Sequence, residues 1–272
     1  MIVLYIILIF LLWKFIPEHY YVDWIIGLRS ATWKILSLRS PYTTSGIYNP
    51  PWTFIPLIPL ALLPPRLGAV LLSLLSFFSI IFIARRLGAN LLQVVLFLTI
   101  PQFAFKAITN PNIDFLAAFG FILPPQIGLF FLAIKPQIGI AVAVFWLVES
   151  WRNGGWKEVL RVFAPFSIAL LLSFVIFGPY FMGAGFLVSS EEVWWDYKLW
   201  PFGIPIGFAL LILAVRKKIM GLSITASPFF SPYVASYSWP YALLGLFAYP
   251  IEYVAVYVGY WIVYFYMRFF IL

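Results

Sequence analysis

The stretch LGAVLLSLLSFFSIIFIA at Leu67–Ala84 runs for 18 residues without a charged side chain, and Arg85 and Arg86 follow it directly. A helical run of this length matches the hydrocarbon thickness of a bilayer. Inside lipid only helices and closed β-barrels satisfy the backbone hydrogen-bonding groups. Barrel strands alternate apolar and polar residues, whereas this run is apolar apart from three serines. It therefore predicts a transmembrane helix.

The composition of the whole chain extends this prediction. Of the 272 residues, 64% are hydrophobic and 10% are charged, against roughly 45–50% and about 25% in an ordinary soluble domain. A water-soluble domain of this size could not cover so much apolar surface. The chain is therefore predicted to be an all-α, polytopic transmembrane helical bundle, in which residues 1–272 form a single transmembrane domain.

The rare residue types exclude several kinds of chemistry. The chain has no Cys and only one His, His19, which excludes disulfides, thiolate metal sites and a histidine-rich metal site. Glu18, His19 and Asp23 are close in sequence, but interfacial capping and solvation explain them as well as a divalent metal would, so no cofactor is expected. The net charge of +8 indicates contacts with anionic lipids and anchoring of cytoplasmic loops, and no nucleic-acid partner is expected.

The order of apolar runs and prolines predicts about eight to ten membrane segments, some of them short, broken or re-entrant. Residues 17–51 are predicted to form an outer loop with an interfacial helix, because apolar residues recur there at helical spacing. Residues 49–65 contain six prolines and predict a re-entrant or short segment. Prolines 124 and 125 predict two half-length helices. The predicted spans include Met1–Ile16, Leu67–Ala84, Leu91–Phe105, Ile138–Val148, Val162–Tyr180 and Leu199–Val215.

The distribution of positive charge predicts the orientation. Cytoplasmic loops carry an excess of Lys and Arg, which assigns Arg85–Arg86, Arg152–Arg161 and Arg216–Lys218 to the cytoplasm and the acidic Glu191–Asp196 segment to the outside. The expected location is the plasma (cytoplasmic) membrane, multi-pass, with the N-terminus inside and an active site on the outer face. The basic charges within residues 17–51 argue against this orientation.

Three ionisable residues near predicted membrane depth are candidate functional groups, since such groups are costly in lipid. Asp23 follows the first span, where the alternative is a helix N-cap. Asp114 follows an Asn-rich stretch, where the alternative is a first-turn residue that complements the helix dipole. Lys135 lies at a proline break, where the alternative is a side chain that snorkels to the interface.

Several short motifs occur in an order that resembles GT-C type integral membrane glycosyltransferases, in particular the polyprenyl-phosphate-mannose-dependent mannosyltransferases. The resemblance covers most of Asp23–Tyr241, and each motif is short. The motifs are Asp23-Trp24, Ser40-Pro41-Tyr42, Tyr48-Asn49-Pro50-Pro51-Trp52, Asn110-Pro111-Asn112-Ile113-Asp114, Lys135-Pro136-Gln137 and Ser231-Pro232-Tyr233.

The resemblance implies transfer of a monosaccharide, with mannose favoured, from a polyprenyl-phosphate carrier to an acceptor hydroxyl at the outer face. It implies Asp23 as the general base, because a carboxylate can take the proton of a sugar hydroxyl. A cation would stabilise the leaving phosphate, and Lys135 is the first expectation, with Arg39 second. The implied partners are the polyprenyl-phosphate sugar and membrane lipids. The residues implied for sugar and acceptor binding are Tyr42, Tyr48, Asn49, Trp52, Asn112, Asp114, Gln137 and Tyr233.

The chain also departs from the pattern of that family. It is short, and Val234-Ala235-Ser236-Tyr237-Ser238 stands where relatives often place an Asp. An alternative is therefore a non-catalytic membrane subunit that kept the scaffold and binds a lipid or a membrane-protein partner. A third interpretation is a transporter or flippase, which the proline-broken helices favour but which lacks the support of an internal repeat.

Overall fold

The computed structural model describes residues 21–180 and 199–271, together with positions 11, 14, 15, 17 and 182. The regular structure of these residues is entirely helical, as the sequence predicted. The predicted first span, Met1–Ile16, falls almost wholly outside the described residues. The acidic segment Ser189–Lys198 falls wholly outside them.

The first described elements are short helices. A π-helix at Asp23–Leu28 leads directly into helix α1, Arg29–Leu36. The proline-rich region then forms a 3-10 helix at Pro51–Leu57 and a single α-helical turn, α2, at Ile58–Ala61. Prolines explain this choice, since each one removes a backbone donor that a continuous α-helix would need. The course of this region relative to a membrane stays a prediction.

Two described helices are long and apolar enough to cross a membrane. Helix α3, Pro65–Arg86, contains the uncharged stretch Leu67–Ala84, and helix α8, Pro136–Phe177, consists of two halves joined at Gly154 and Gly155. Helices α4, Leu91–Leu98, and α5, Pro101–Thr109, would together give a third span, but the pair is bent by 64°. The described residues thus contain two or three candidate spans by length and composition.

Proline also sets where many helices begin. At the first helical position its missing N–H costs nothing, and its fixed φ already suits the helix. The structure uses Pro in this way at the start of elements beginning at Pro51, Pro65, Pro101, Pro125, Pro136 and Pro250. Several of the prolines that the sequence marks as breaks therefore start new helices, whereas Pro56 lies inside the Pro51–Leu57 3-10 helix.

The remaining elements complete the chain. The break at prolines 124 and 125 separates helix α6, Asp114–Phe119, from helix α7, Pro125–Leu132, in agreement with the two half-length helices predicted there. The helices are α6 (Asp114–Phe119), α7 (Pro125–Leu132), α9 (Ile204–Lys217), α10 (Met220–Ala226) and α11 (Pro250–Tyr266). Further 3-10 helices lie at Pro41–Thr43, Gly120–Ile122, Ser227–Phe230 and Trp239–Leu246, and a π-helix at Met267–Ile271.

Close contacts between neighbouring backbones, made possible by glycine, fix the positions of two segments: the Asp23–Leu28 π-helix and the Trp239–Leu246 3-10 helix. Trp24 is fully buried, and its indole N–H donates to the Pro65 carbonyl at 2.9 Å. A Cβ on Gly68 would lie 2.7 Å from the Leu60 carbonyl oxygen and 2.8 Å from the Trp24 ring. A Cβ on Gly245 would overlap the backbone of α10. Glycine at position 68 lets the Asp23–Leu28 π-helix pack on α3. Glycine at position 245 lets the Trp239–Leu246 3-10 helix pack on α10.

Large apolar side chains remain exposed on the second half of α8 and on α11. Val175 is 83% exposed and Ile251 is 81% exposed. Exposed apolar surface on this scale in a water-soluble monomer would mark an interaction site, whereas it is the ordinary surface of a helix in lipid. These exposed apolar faces of α8 and α11 therefore support the prediction of a membrane protein.

Candidate functional site

A cavity of about 1850 Å³ lies between the Asp23–Leu28 π-helix, α5, the two halves of α8 and the segment before the Trp239–Leu246 3-10 helix. The polar and charged residues on its wall come from separate parts of the chain, and the apolar remainder comes from the same helices. The polar set includes Asp23, Tyr48, Asn49, Lys106, Asn112, Lys135, Gln137, Tyr233, Tyr237 and Arg268.

The backbone around Asp23 is held at two points. The neighbouring Trp24 is buried against the start of α3, and the Asp23 N–H donates to Asn110 Oδ1 at 2.9 Å. Val22, and not Asp23, occupies the N-cap position of the π-helix, and no side-chain capping hydrogen bond forms there. The N-cap alternative for Asp23 is therefore wrong, because its side chain is directed to α5 and to Asn112 instead.

Asp23 takes part in the first of two ion pairs at the cavity. Its Oδ2 lies 2.8 Å from Lys106 Nζ and accepts a hydrogen bond from Asn112 Nδ2 at 2.9 Å. Within the described part of the chain, both contacts of the Asp23 side chain end on Oδ2, so Oδ1 is left for a ligand. The side chains of Lys106 and Asp23 are 21% and 33% exposed.

Asp114 and Lys135 form the second ion pair, at 3.0 Å, with side chains that are 3% and 12% exposed. Ser238 Oγ donates a short hydrogen bond to the other Asp114 oxygen. Asp114 lies in the first turn of α6, as the alternative interpretation predicted, and its carboxylate also forms the buried pair. Burial acts to lower the pKa of Lys135. The charge of Asp114, together with Tyr237 and Tyr233, raises the pKa by more than burial lowers it, so the net pKa lies above its ordinary value.

The ring of Tyr237 stands between the two pairs. Lys106 Nζ lies 4.5 Å from its centroid and Lys135 Nζ 5.3 Å from it, both within the range of cation–π attraction. The Tyr237 oxygen accepts from Asn112 Nδ2 at 3.2 Å. Burial raises the pKa of Tyr237, so the phenol keeps its proton at neutral pH. Its O–H can therefore donate a hydrogen bond to a ligand.

Most of the residues that the resemblance implies reach the same cavity. Asp23, Lys135, Asn112, Gln137, Tyr48, Asn49 and Tyr233 all line it, although they are spread over more than 200 positions of sequence. The Asn49 amide also donates to the Ile134 carbonyl at 2.8 Å, which ties the proline-rich region to the loop that holds Lys135. Their roles in binding and catalysis stay predictions.

Four implied residues lie elsewhere. Arg39 is exposed and is not on the cavity wall, and Asp114 is buried behind Lys135. The Tyr42 hydroxyl donates to the Asn49 carbonyl at 2.9 Å, and its ring stacks on Tyr180. The Trp52 indole donates to the Phe130 carbonyl at 2.8 Å. The two aromatic residues contact the cavity lining through Tyr180 and Phe166 and do not line it themselves.

Sequence reasoning missed Lys106, Tyr237 and Ser238. A signal for Lys106 was present, because a lysine inside an apolar helix such as α5 is costly in lipid and marks a functional site. Tyr237 and Ser238 carried no comparable signal. They come to the site only because their segment packs beside α6.

No group of three or more His, Cys, Asp or Glu side chains within the described ranges is arranged to hold a metal ion. The proposed neighbours of Asp23 in such a site, Glu18 and His19, fall outside those ranges. The chain matches no protein-family model, no curated protein and no solved structure. Its chemistry is therefore judged from the geometry of the site.

Proposed function

We propose that the protein transfers a monosaccharide, with mannose favoured, from a polyprenyl-phosphate carrier to an acceptor hydroxyl, with Asp23 as the general base. The observation that carries the proposal is the carboxylate of Asp23 on the wall of a large cavity that also contains lysine and amide side chains. The proposal includes a polytopic, GT-C-like helical bundle in the plasma membrane with its active site on the outer face.

The surroundings of Asp23 suit a base. A general base needs an accessible lone pair within hydrogen-bonding reach of the proton that it takes. Lys106 and Asn112 both contact Oδ2, which orients the carboxylate and leaves Oδ1 for the acceptor hydroxyl.

The rest of the wall suits a sugar phosphate. Lysine ammonium groups stabilise the negative charge that develops on a leaving phosphate. Amide and phenol groups such as Asn112, Gln137 and Tyr233 can hydrogen-bond sugar hydroxyls, and the apolar part of the cavity suits an isoprenoid chain. The volume of about 1850 Å³ exceeds the roughly 300–1,000 Å³ of an ordinary small-molecule pocket, as a lipid-linked substrate requires.

The test uses the purified protein in detergent with radiolabelled polyprenyl-phosphate monosaccharides, mannose first, and total membrane lipids as acceptor. We expect a labelled product, and we expect Asp23→Asn to lower the rate by about 10²–10⁴-fold, the usual contribution of a general base. Glu252→Gln is the matched control, because it makes the same carboxylate-to-amide change at an exposed residue outside the cavity. Full activity of Asp23→Asn would remove the proposed base.

The second candidate function is a non-catalytic subunit that binds a lipid or a membrane-protein partner. The observation that favours it is the Asp23–Lys106 pair, since a carboxylate held by a lysine can be purely structural. Folded, monodisperse protein that forms no product with any donor and copurifies with a stoichiometric partner would support this second function.

A further inference from the structure

The two lysines at the cavity differ in how easily they can turn to an incoming anion. Lys135 is paired with Asp114, which is 3% exposed. Moving Lys135 away would leave a buried carboxylate without its cation, and an unpaired buried charge is strongly unfavourable. Lys106 is paired with Asp23, which is 33% exposed and keeps its bond to Asn112 when Lys106 moves. Lys106 is therefore the cation that can change partners.

Helix α5 presents one face to the cavity. Pro101, Gln102, Phe105, Lys106 and Thr109 all line it, at the spacing of neighbours on a single helical face. Phe105 is 65% exposed and Ile26, on the facing π-helix, is 61% exposed. An open apolar surface therefore lies beside the Lys106 ammonium, which is the arrangement that an amphiphilic anion needs.

The charges on the wall also favour an anion. The described residues that line the cavity include three cations, Lys106, Lys135 and Arg268, and one carboxylate, Asp23. Asp114, directly behind Lys135, offsets the charge of that lysine, so the excess at the wall is the one positive charge of Arg268. Arg268 reaches the cavity from the π-helix that follows α11, and α11 is tied to α5 where Gln102 Nε2 donates to the Tyr260 carbonyl at 3.3 Å. A cleft with an excess of one sign of charge attracts ligands of the other sign.

We propose that Lys106, and not Lys135, binds the phosphate of a lipid monophosphate, and that it exchanges its ion pair with Asp23 for this phosphate. The Tyr237 O–H is the adjoining donor, because its oxygen already accepts from Asn112. The lipid chain lies along Phe105 and Ile26. This inference identifies Lys106 as the residue that binds the donor phosphate in the proposed transferase site. The identification of the lipid as a polyprenyl chain rests on the proposed function.

The exchange links donor binding to the base. While Lys106 contacts Asp23 Oδ2, the ammonium competes for the carboxylate's lone pairs. When Lys106 turns to the phosphate, the Oδ2 lone pair that it had contacted is released, while Asn112 still holds the carboxylate in place. The Asp23 carboxylate is then most accessible to an acceptor hydroxyl when a donor phosphate is in place.

The test measures binding and not transfer. A polyprenyl monophosphate is titrated into the full-length protein in detergent, and the affinity is taken from the rise in unfolding temperature, since a ligand that binds the folded state stabilises it by mass action. The uncharged polyprenol and inorganic phosphate are titrated in parallel. We expect the polyprenyl monophosphate to bind more tightly than either of them.

The variants assign the phosphate to one lysine. Lys106→Gln is expected to weaken binding of the monophosphate by about tenfold or more, the effect of losing a charge-assisted hydrogen bond, and to leave polyprenol binding unchanged. Lys106→Arg is expected to restore most of the affinity. Asp23→Asn is expected to bind at least as tightly as the unaltered protein, because it releases Lys106. Lys157→Gln is the matched control, since Lys157 is exposed and outside the cavity.

Three results would overturn the inference. One is unchanged binding by Lys106→Gln, and another is a loss in Asp23→Asn as large as that in Lys106→Gln. The third is equal, Lys106-dependent binding of inorganic phosphate, which would assign the site to free phosphate. If Lys106→Gln does not fold, the double variant Asp23→Asn/Lys106→Gln replaces it, because it leaves neither charge unpaired. Lys106-dependent binding without transfer would overturn the proposed function alone, and transfer without such binding would overturn this inference alone.

Discussion

The two ion pairs at the cavity have the same chemistry and different surroundings. Each joins an aspartate to a lysine, at 2.8 Å for Asp23–Lys106 and 3.0 Å for Asp114–Lys135, and the ring of Tyr237 stands between them. The first pair is partly exposed at the wall, and the second is nearly enclosed. The difference teaches that burial, and not residue type, separates a group available to a ligand from one that holds the structure together.

The contacts of each carboxylate agree with this division. Asp114 connects α6 to Lys135, at the start of α8, and to Ser238, before the Trp239–Leu246 3-10 helix. Loss of this carboxylate would therefore affect three parts of the chain. Asp23 connects the π-helix to α5 and Asn112, and water or a ligand can replace either contact.

The largest effect is expected from breaking the buried pair on one side. Asp114→Asn leaves the Lys135 ammonium without its counter-charge, so we expect the free energy of unfolding to fall by about 3–5 kcal/mol. Chemical unfolding in detergent measures the change. The double variant Asp114→Leu/Lys135→Met is the control, because it removes both charges and is expected to recover most of the stability. A small change in Asp114→Asn would contradict the enclosed character of this pair.

The next effect is expected at the hydroxyl that supports the buried pair. Ser238→Ala removes a hydrogen bond to a charged, buried acceptor, which is worth about 1.5–3 kcal/mol of unfolding free energy. Asn112→Ala removes the donor to the partly exposed Asp23, together with the bonds of Asn112 to Tyr237 and to the Ile113 N–H. The unfolding measurement is repeated for Ser238→Ala in the Asp114→Leu/Lys135→Met background, where we expect the loss to disappear because the charged acceptor is absent. A loss that is equal in both backgrounds would contradict the support of the buried pair by Ser238.

A still smaller effect on stability is expected at the partly exposed pair. The coupling between Asp23 and Lys106 is expected to be about 0–1 kcal/mol, the range for ion pairs that water reaches. A double-mutant cycle of Asp23→Asn, Lys106→Gln and their combination measures it in the unfolding assay. A coupling as large as that of the buried pair would make the Asp23–Lys106 pair structural and would favour the non-catalytic function.

The smallest effect is expected from pH. A lysine whose pKa is raised on folding, as for Lys135, contributes stability that is fully present below its unfolded pKa of about 10.4 and is lost only above it. We therefore expect the stability difference between the protein and Asp114→Leu/Lys135→Met to stay constant from about pH 7 to about pH 9. Above about pH 10 it should shift in favour of the double variant. A shift between pH 7 and 9 would contradict the raised pKa of Lys135.

Part of the candidate site could be predicted because its residues carry a physical cost. Asp23, Asp114 and Lys135 are charged residues in an apolar chain, and such residues occur mainly where they pair or act. Asn112 and Arg39 were implied only by the resemblance, and Arg39 is exposed and lies away from the cavity. Tyr237 and Ser238 could not be found in this way, since a tyrosine or serine is inexpensive in many environments.

Part of the fold could be predicted for a similar reason. Uninterrupted apolar runs and helix-breaking prolines predicted helix α3 and the break between α6 and α7. The 64° bend between α4 and α5 was not predicted, although Pro101 marks its position. Leu91–Phe105 was predicted as one span, and the direction that the helix takes after Pro101 depends on what it packs against.

The sequence by itself determined the helical class, the apolar surface and the break at prolines 124 and 125, because these depend on side-chain polarity and on the local chemistry of proline. Only the tertiary structure decided which lysine faces which aspartate and which pair is buried. Asp23 and Lys106 are separated by 83 residues and Asp114 and Ser238 by 124. Contacts over such separations depend on packing between helices, at positions such as Gly68 and Gly245, and local sequence carries no record of that packing.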